Sequence, residues 1–159
     1  MSLRVHKSFV TSIYGIAVLA VAVGMAATPS NSDLMSPVGK WKTVDDATGQ
    51  VNSRVVLWVE NGKLYGRIEE LINPDPHDPD PRCSRCAGAF KDRRVIGLQI
   101  LWGLRKTGDE WSGGQILDPN NGKVYKCSIT VIDGGKKLKV RGFIGFSWLG
   151  RTQYWIRDE

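Results

Sequence analysis

From residue 38 to residue 157, apolar and polar residues alternate in short runs, and turn-forming residues interrupt them at nearly regular intervals. Period-two alternation is the mark of a strand with one buried face. No long stretch carries the i, i+3, i+4 stripe of an amphipathic helix. The pattern predicts strands over residues 38–44, 54–60, 63–71, 95–105, 110–117, 123–133, 136–146 and 151–157. Asn61-Gly62 separates the second from the third, and Asn-Gly is the strongest short hairpin signal because both residues tolerate the positive φ of a tight turn. Thr107-Gly108-Asp109, Asn121-Gly122 and Gly134-Gly135 are further turns.

About eight strands joined mostly as neighbouring hairpins favour an up-and-down meander, and a twisted meander of that size can close on itself and abolish its edges. The expected fold is therefore all-β: a single antiparallel up-and-down β-barrel, with an open sandwich as the other architecture. Such a barrel is just wide enough to be filled by side chains or to hold one small ligand. Gly66, Gly97, Gly142 and Gly145 fall within strand patterns and are expected to mark bulges or bends. The rhythm breaks over residues 73–94, a long loop with Pro74, Pro76, Pro79 and Pro81 interleaved with Asp75, Asp78 and Asp80. A loop of that length in a small domain is usually functional or disordered, and it is expected across one rim.

The N-terminus changes the picture of compartment. Arg4 and Lys7 precede an apolar run over residues 9–23, and small residues follow through Ala26 and Ala27. This is the order of a secretory signal peptide, and the apolar run is short for a membrane-spanning helix. The expected organisation is a signal peptide over 1–26, a linker over 27–37 and a barrel over 38–159. Residues 1–26 hold Arg4 and Lys7 and no acids, so 22 basic groups become 20 against 16 acidic, and the net charge falls from +6 to +4. The densest basic run, Lys136, Lys137, Lys139 and Arg141, reads as the solvated face of a strand. With export, this argues against a nucleic-acid partner; periplasmic or secreted localisation is expected, with no stable membrane span once the signal is removed.

The candidate chemistry is sparse. Cys83 and Cys86 are the disulfide candidates, as a local bridge within the long loop. A redox-active pair would want a helix start after a strand, and zinc would need two more ligands, for which His77 and Cys127 could serve. Asp75, His77, Asp78 and Asp80 could also ligate calcium or zinc, but their spacing lacks the EF-hand pattern and reads as a solvated acidic loop. Cys127 is expected to face the interior with Tyr125 and Ile129, either as a free thiol or bonded to Cys83 or Cys86. His77 is the only histidine beyond the expected signal, it stands in the proline-rich loop, and no nucleophile elbow accompanies it. No catalytic residue, metal site or cofactor is therefore expected. Trp41, Trp58, Trp102, Trp111, Trp148 and Trp155 are many for so small a domain, and as core or cavity lining they would suit an apolar or amphiphilic ligand. Alternation alone leaves open whether Trp58 faces in or out.

Gly39-Lys40-Trp41 on the first strand and Arg157 on the last resemble the lipocalin and wider calycin pattern, in which a Gly-x-Trp meets an arginine from the end of the barrel and closes its base. Further motifs lie in order along the chain. They are Pro37-Val38-Gly39-Lys40-Trp41, Asn61-Gly62-Lys63-Leu64-Tyr65-Gly66, Cys83-x-x-Cys86, Gly97-Leu98, Gly113-Gly114-x-Ile116-Leu117-Asp118-Pro119, Asn121-Gly122-Lys123-x-Tyr125, Val140-Arg141-Gly142 and Gly150-Arg151-Thr152-Gln153-x-Trp155-x-Arg157. Together they resemble a family of small exported bacterial proteins known only as a domain of unknown function. The resemblance implies a lipocalin-like barrel in the cell envelope and no established activity.

Arg151, Gln153, Trp155 and Arg157 share one face of the last strand. If that face is inward, Arg151 and Gln153 bring polar groups into the cavity, and a buried arginine needs a partner such as Asp118 or Glu69. The candidate ligand-binding residues are Tyr65, Trp102, Tyr125, Arg141, Arg151, Gln153 and Trp155, with Trp41 and Arg157 as the barrel closure. The expected function is binding of a small apolar or amphiphilic molecule. The alternatives are an envelope protein-interaction module with a solid barrel core, and a thiol-redox or other enzyme using the Cys-x-x-Cys loop.

Overall fold

The computed structural model describes residues 34–158. The expected signal peptide over 1–26 and most of the expected linker lie outside them. Strands β1 (Gly39–Val44), β2 (Val51–Glu60), β3 (Lys63–Leu71), β4 (Gln99–Thr107), β5 (Glu110–Asp118), β6 (Lys123–Ile132), β7 (Lys137–Phe143) and β8 (Gly150–Arg157) follow one another in a closed antiparallel barrel. Each strand pairs with its neighbours in sequence, and β8 closes the ring on β1 through Trp41 opposite Arg157 and Lys42 opposite Ile156.

Alternation places the core. Val55 and Leu57 of β2, Cys127, Ile129 and Val131 of β6, and Leu138 and Val140 of β7 are all buried, while the residues between them turn outward. This settles Trp58: it faces out, stacked on Tyr65 and with the Arg67 guanidinium over its ring. Asn61 and Gly62 both take positive φ, 50° and 72°, which is the geometry a two-residue hairpin demands. The Asn121-Gly122 turn is wider. Its glycine N–H reaches back to the carbonyl of Asp118, whose side chain accepts from the Asn120 amide.

Three strand boundaries differ from the sequence reading by three residues or more. β2 begins at Val51 rather than 54, because its first residues continue the ladder with β1 across a bulge. β4 begins at Gln99 rather than 95. Residues 95–98 instead bind the long loop and β3: Val95 N–H donates to Pro81, and Gly97 N–H and the Leu98 carbonyl exchange bonds with Ile68. β7 stops at Phe143 rather than 146, and Ile144, Phe146 and Trp148 project into solvent. Gly66 stands at a register shift between β3 and β4, where a Cβ would meet Leu57 Cδ2 at 2.3 Å. Gly97 and Gly145 lie in connections, and Gly142 lies in an unbroken ladder.

The two ends of the barrel are built differently. At the base, short turns join β2 to β3, β4 to β5 and β6 to β7. There Trp41, Leu64, Leu104, Ile129, Leu138 and Trp155 fill the interior. At the other end lie the connections β1–β2, β3–β4, β5–β6 and β7–β8. The longest of these, β3–β4, carries a Cys83–Cys86 disulfide and a short 3-10 turn over Gly88–Phe90.

Candidate functional site: a cavity at the rim of the barrel

The rim half of the barrel is hollow. A cavity of about 420 Å³ opens between the connections at that end. This lies within the roughly 300–1,000 Å³ of small-molecule sites. Its inner wall is apolar: Ile68, Ile100, Leu117, Val140 and the buried Trp155. Val95, which the long loop delivers beside β3, adds to it.

The mouth is polar. Tyr125 Oη accepts from Asn121 Nδ2 at 3.0 Å, and the same amide donates to Asp118 Oδ2 at 2.9 Å. Thr43 and Ser53 share a hydroxyl–hydroxyl bond of 2.8 Å across β1 and β2. Arg151 Nε donates to Asp46 Oδ2 at 2.5 Å, and this bond holds the guanidinium pKa above its ordinary value against the opposing effect of burial. Asp45 also lines the mouth, and bonds from the Thr48 amide and hydroxyl hold its carboxyl below the usual carboxylate range. Gln153 Oε1 lies 3.4 Å from Trp155 Nε1, where the polar mouth meets the apolar wall.

Of the candidate ligand-binding residues, Tyr125, Arg151, Gln153 and Trp155 come together around this cavity. Tyr65, Trp102 and Arg141 do not line it. Tyr65 packs on Trp58 outside the barrel. Trp102 stacks on Phe90 and donates to Gln115 across the outer face of β4 and β5. Arg141 turns outward, opposite in register to inward-facing Val140 and Gly142, and binds the Ser147 carbonyl and Thr152 hydroxyl. The partner of Arg151 is Asp46, rather than Asp118 or Glu69; Glu69 pairs with Lys40 instead. Thr43, Asn52, Ser53 and Asn73 also line the cavity. The inward alternation of Ser53 with Val55 and Leu57 was a signal for one of them.

Around the base, the Arg157 guanidinium carbon sits 4.2 Å from the centroid of the Trp41 ring. Its nitrogens donate to the carbonyls of Gly135 at 2.6 Å, Ser36 at 2.8 Å and Leu34 at 3.0 Å. Trp41 Nε1 donates to Pro37 at 2.8 Å. One cation thus fastens the incoming chain, the β6–β7 turn and the first strand together.

The long loop is docked on the rim. Cys83 is fully buried and its sulfur lies 3.5 Å from the Pro119 carbonyl, while Arg85 Nη1 donates to the Asn120 carbonyl at 3.1 Å. The approach is so close that a Cβ on Gly122 would lie 1.9 Å from the Arg85 carbonyl oxygen. Cys127 is a free, buried thiol whose pKa desolvation raises far above its ordinary value. Among the described residues, no three His, Cys, Asp or Glu side chains converge as a metal site would require. Among them, too, no helix is long and apolar enough to cross a membrane.

Residues 39–157 match a family described as uncharacterised proteins conserved in bacteria, DUF2147. No curated protein matches the sequence. Among solved structures, the barrel is similar to protein HP1028 from the human pathogen Helicobacter pylori, described as belonging to the lipocalin family. The TM-score is 0.68 at 19% identity, over 79% of this chain and 84% of that one. At that identity the likeness is one of fold.

Proposed function

Because this chain belongs to the DUF2147 family and folds as a lipocalin-like barrel, we propose that it is an exported binding protein of the bacterial envelope that carries a small apolar or amphiphilic molecule in its rim cavity. The observation that carries this reading is the cavity's division into an apolar inner wall and a polar mouth. An apolar body would bury against Ile68, Ile100, Val140 and Trp155, and each square ångström removed from water contributes roughly 25 cal/mol. A polar head would remain at the mouth among Tyr125, Gln153 and Arg151. The Arg151–Asp46 pair is already satisfied, so an apolar ligand leaves no buried charge unpartnered.

Export is supported by the N-terminal segment and by the Cys83–Cys86 bridge, since disulfides persist in oxidising compartments. The reading assigns no chemical step and no nucleic-acid partner. The disulfide has a structural part in it: it braces a turn within the long loop, and its buried cysteines pack that turn against the rim beside Pro119.

Native mass spectrometry of protein purified without detergent tests the proposal. A population heavier than the chain by a discrete small-molecule mass, released by organic extraction, is the expected result. Protein that stays empty, and that takes up no fatty acid or environment-sensitive apolar dye when challenged, overturns it.

A further inference from the structure

We propose that the β7–β8 connection is a membrane-docking tip, which seats the rim of the barrel on an anionic lipid surface. Ile144, Phe146, Trp148 and Leu149 all stand on this six-residue connection, with exposures of 61%, 68%, 72% and 55%. They are the most exposed large apolar side chains among the described residues, and Phe146 and Trp148 stack on each other in solvent, 6.0 Å between centroids. None of them lines the cavity, so the loop does not serve as its lid. The loop is nonetheless held in position: Arg141 Nε donates to the Ser147 carbonyl at 2.7 Å, and Leu149 N–H returns to Phe146.

The chemistry of the surroundings selects the partner. β6 runs on past Lys126, the residue opposite Phe143, to Val124 and Lys123, so exposed Lys126, Val124 and Lys123 flank the base of the tip. Arg151 stands on β8 just after the loop, 61% exposed, but its charge is engaged by Asp46, so the attraction rests on Lys123 and Lys126. Apolar and aromatic side chains at a tip, with cations behind them, match a bilayer whose headgroup layer is anionic: tryptophan favours the headgroup level, and each basic residue near the surface adds to the attraction. A second copy of the chain fits less well. A fully buried aromatic covers roughly 150–250 Å², and one narrow tip falls short of the roughly 800 Å² per partner of a stable interface. The docking does not depend on what the cavity holds.

The test uses the full chain, expressed and purified, with vesicles of phosphatidylethanolamine and phosphatidylglycerol carrying a doxyl-labelled lipid. Subtracting the fluorescence of Trp148→Phe from that of the unaltered protein isolates Trp148, whatever the state of the N-terminus. The expected difference spectrum shifts to shorter wavelength and is quenched by the doxyl lipid, and the shift weakens with phosphatidylcholine alone or with added salt. In flotation of protein whose intact mass shows the N-terminal apolar segment removed, Phe146→Ser with Trp148→Ser should lower the bound fraction at least tenfold at unchanged thermal midpoint. A Trp148 signal that stays water-like and unquenched overturns the proposal. So does equal flotation of the two proteins, or a dimer in solution that the double substitution dissolves.

Discussion

Gly142 offers a way to plug the cavity without disturbing the frame around it. It lies on β7 opposite Cys127 and Arg151, in an unbroken ladder, and it lines the cavity. A Cβ there would find Tyr125 Cβ at 3.5 Å and Ile116 Cγ2 at 3.7 Å, ordinary contacts, and its φ is not positive. Gly142→Ala should therefore stabilise by about 0.4–1 kcal/mol, because the unfolded chain loses conformational freedom and the folded one gains no strain. Gly142→Leu extends the same vector into the hollow between Tyr125 and Ile116. Burying a leucine yields roughly 1.5–3 kcal/mol, offset in part by its lost rotamers and by displaced water, so the stability should not fall.

Gly114 is the matched control. It too stands within a strand, but its Cβ would lie 2.4 Å from the Trp102 carbonyl oxygen and 2.5 Å from Leu104 N, atoms of the neighbouring backbone that cannot move aside. Gly114→Ala should cost about 1–3 kcal/mol. Urea unfolding followed by tryptophan fluorescence gives both stabilities, and titration with an apolar dye gives the affinity. With Gly142→Leu the dye affinity should fall at least about tenfold, which is 1.4 kcal/mol, at equal or greater stability. Undiminished dye binding by a stably folded Gly142→Leu would refute the placement of the ligand in this cavity.

Other substitutions probe the frame. Cys86→Ser opens a very short covalent loop, and loop-closure entropy puts its cost at about 2 kcal/mol; denaturant midpoints with and without reductant check it, and reductant should have no effect on the variant. Arg157→Met keeps apolar cover over Trp41 but removes the donors to Gly135, Ser36 and Leu34, so residues 34–38 should loosen and the Trp41 indole N–H, which the Pro37 carbonyl accepts, should exchange faster while the ladders of β4 to β6 hold. Asp158 accepts from Lys42 and Arg54, which hold its carboxyl below the usual range. A depressed folded pKa contributes stability that is present above the unfolded value of about 4 and is lost as pH falls through the folded one. Asp158→Asn should therefore flatten the acid limb of the stability profile, read as urea midpoints across that window. Cys127, buried and with its thiolate disfavoured, should resist thiol reagents until the barrel unfolds, with reaction rates tracking global opening.

The strands were legible because period-two alternation and turn chemistry are local. Asn61-Gly62 needs no tertiary information to turn the chain, and the alternation of Leu138 and Val140 with Lys137 and Lys139 states which face is wet. What lay beyond local pattern was decided by contacts between distant segments. Residues 95–98 have the composition of a strand but spend their backbone bonds on Pro81 and Ile68, a choice set by where the long loop docks. Arg151 met Asp46 from the β1–β2 connection, far away in sequence and silent in any motif. Tyr65, Trp102 and Arg141 were ligand candidates by residue type. Their register turns them to the outer face, and a register slip of one residue exchanges every inside for outside.

The split between base and rim explains how so small a barrel can hold a cavity at all. A hollow costs dispersion contacts and apolar burial, of the order of 20 cal/mol for each square ångström of cavity surface. In this barrel the loss is confined to one end, because the large side chains are not distributed evenly. Trp41, Leu64, Leu104 and Leu138 crowd the base, and Arg157 adds bonds to three backbone carbonyls there. Gly142 and small Ser53 stand toward the rim. The rim replaces packing by other restraints: a disulfide within the loop, the Arg85–Asn120 bond that docks the loop on the β5–β6 turn, and the Asp118–Asn121–Tyr125 chain. Under this division, loss of a base contact should lower the stability of the whole barrel. Loss of a hydrogen-bonded rim restraint should instead change access to the cavity before it changes the unfolding midpoint, so Asn121→Ala should speed dye exchange more than it shifts the urea transition; the disulfide differs, because it also constrains the unfolded chain. If both kinds of variant moved the two measurements in proportion, the barrel would be a single cooperative unit with no separate mouth, and the rim would have no role of its own in admitting a ligand.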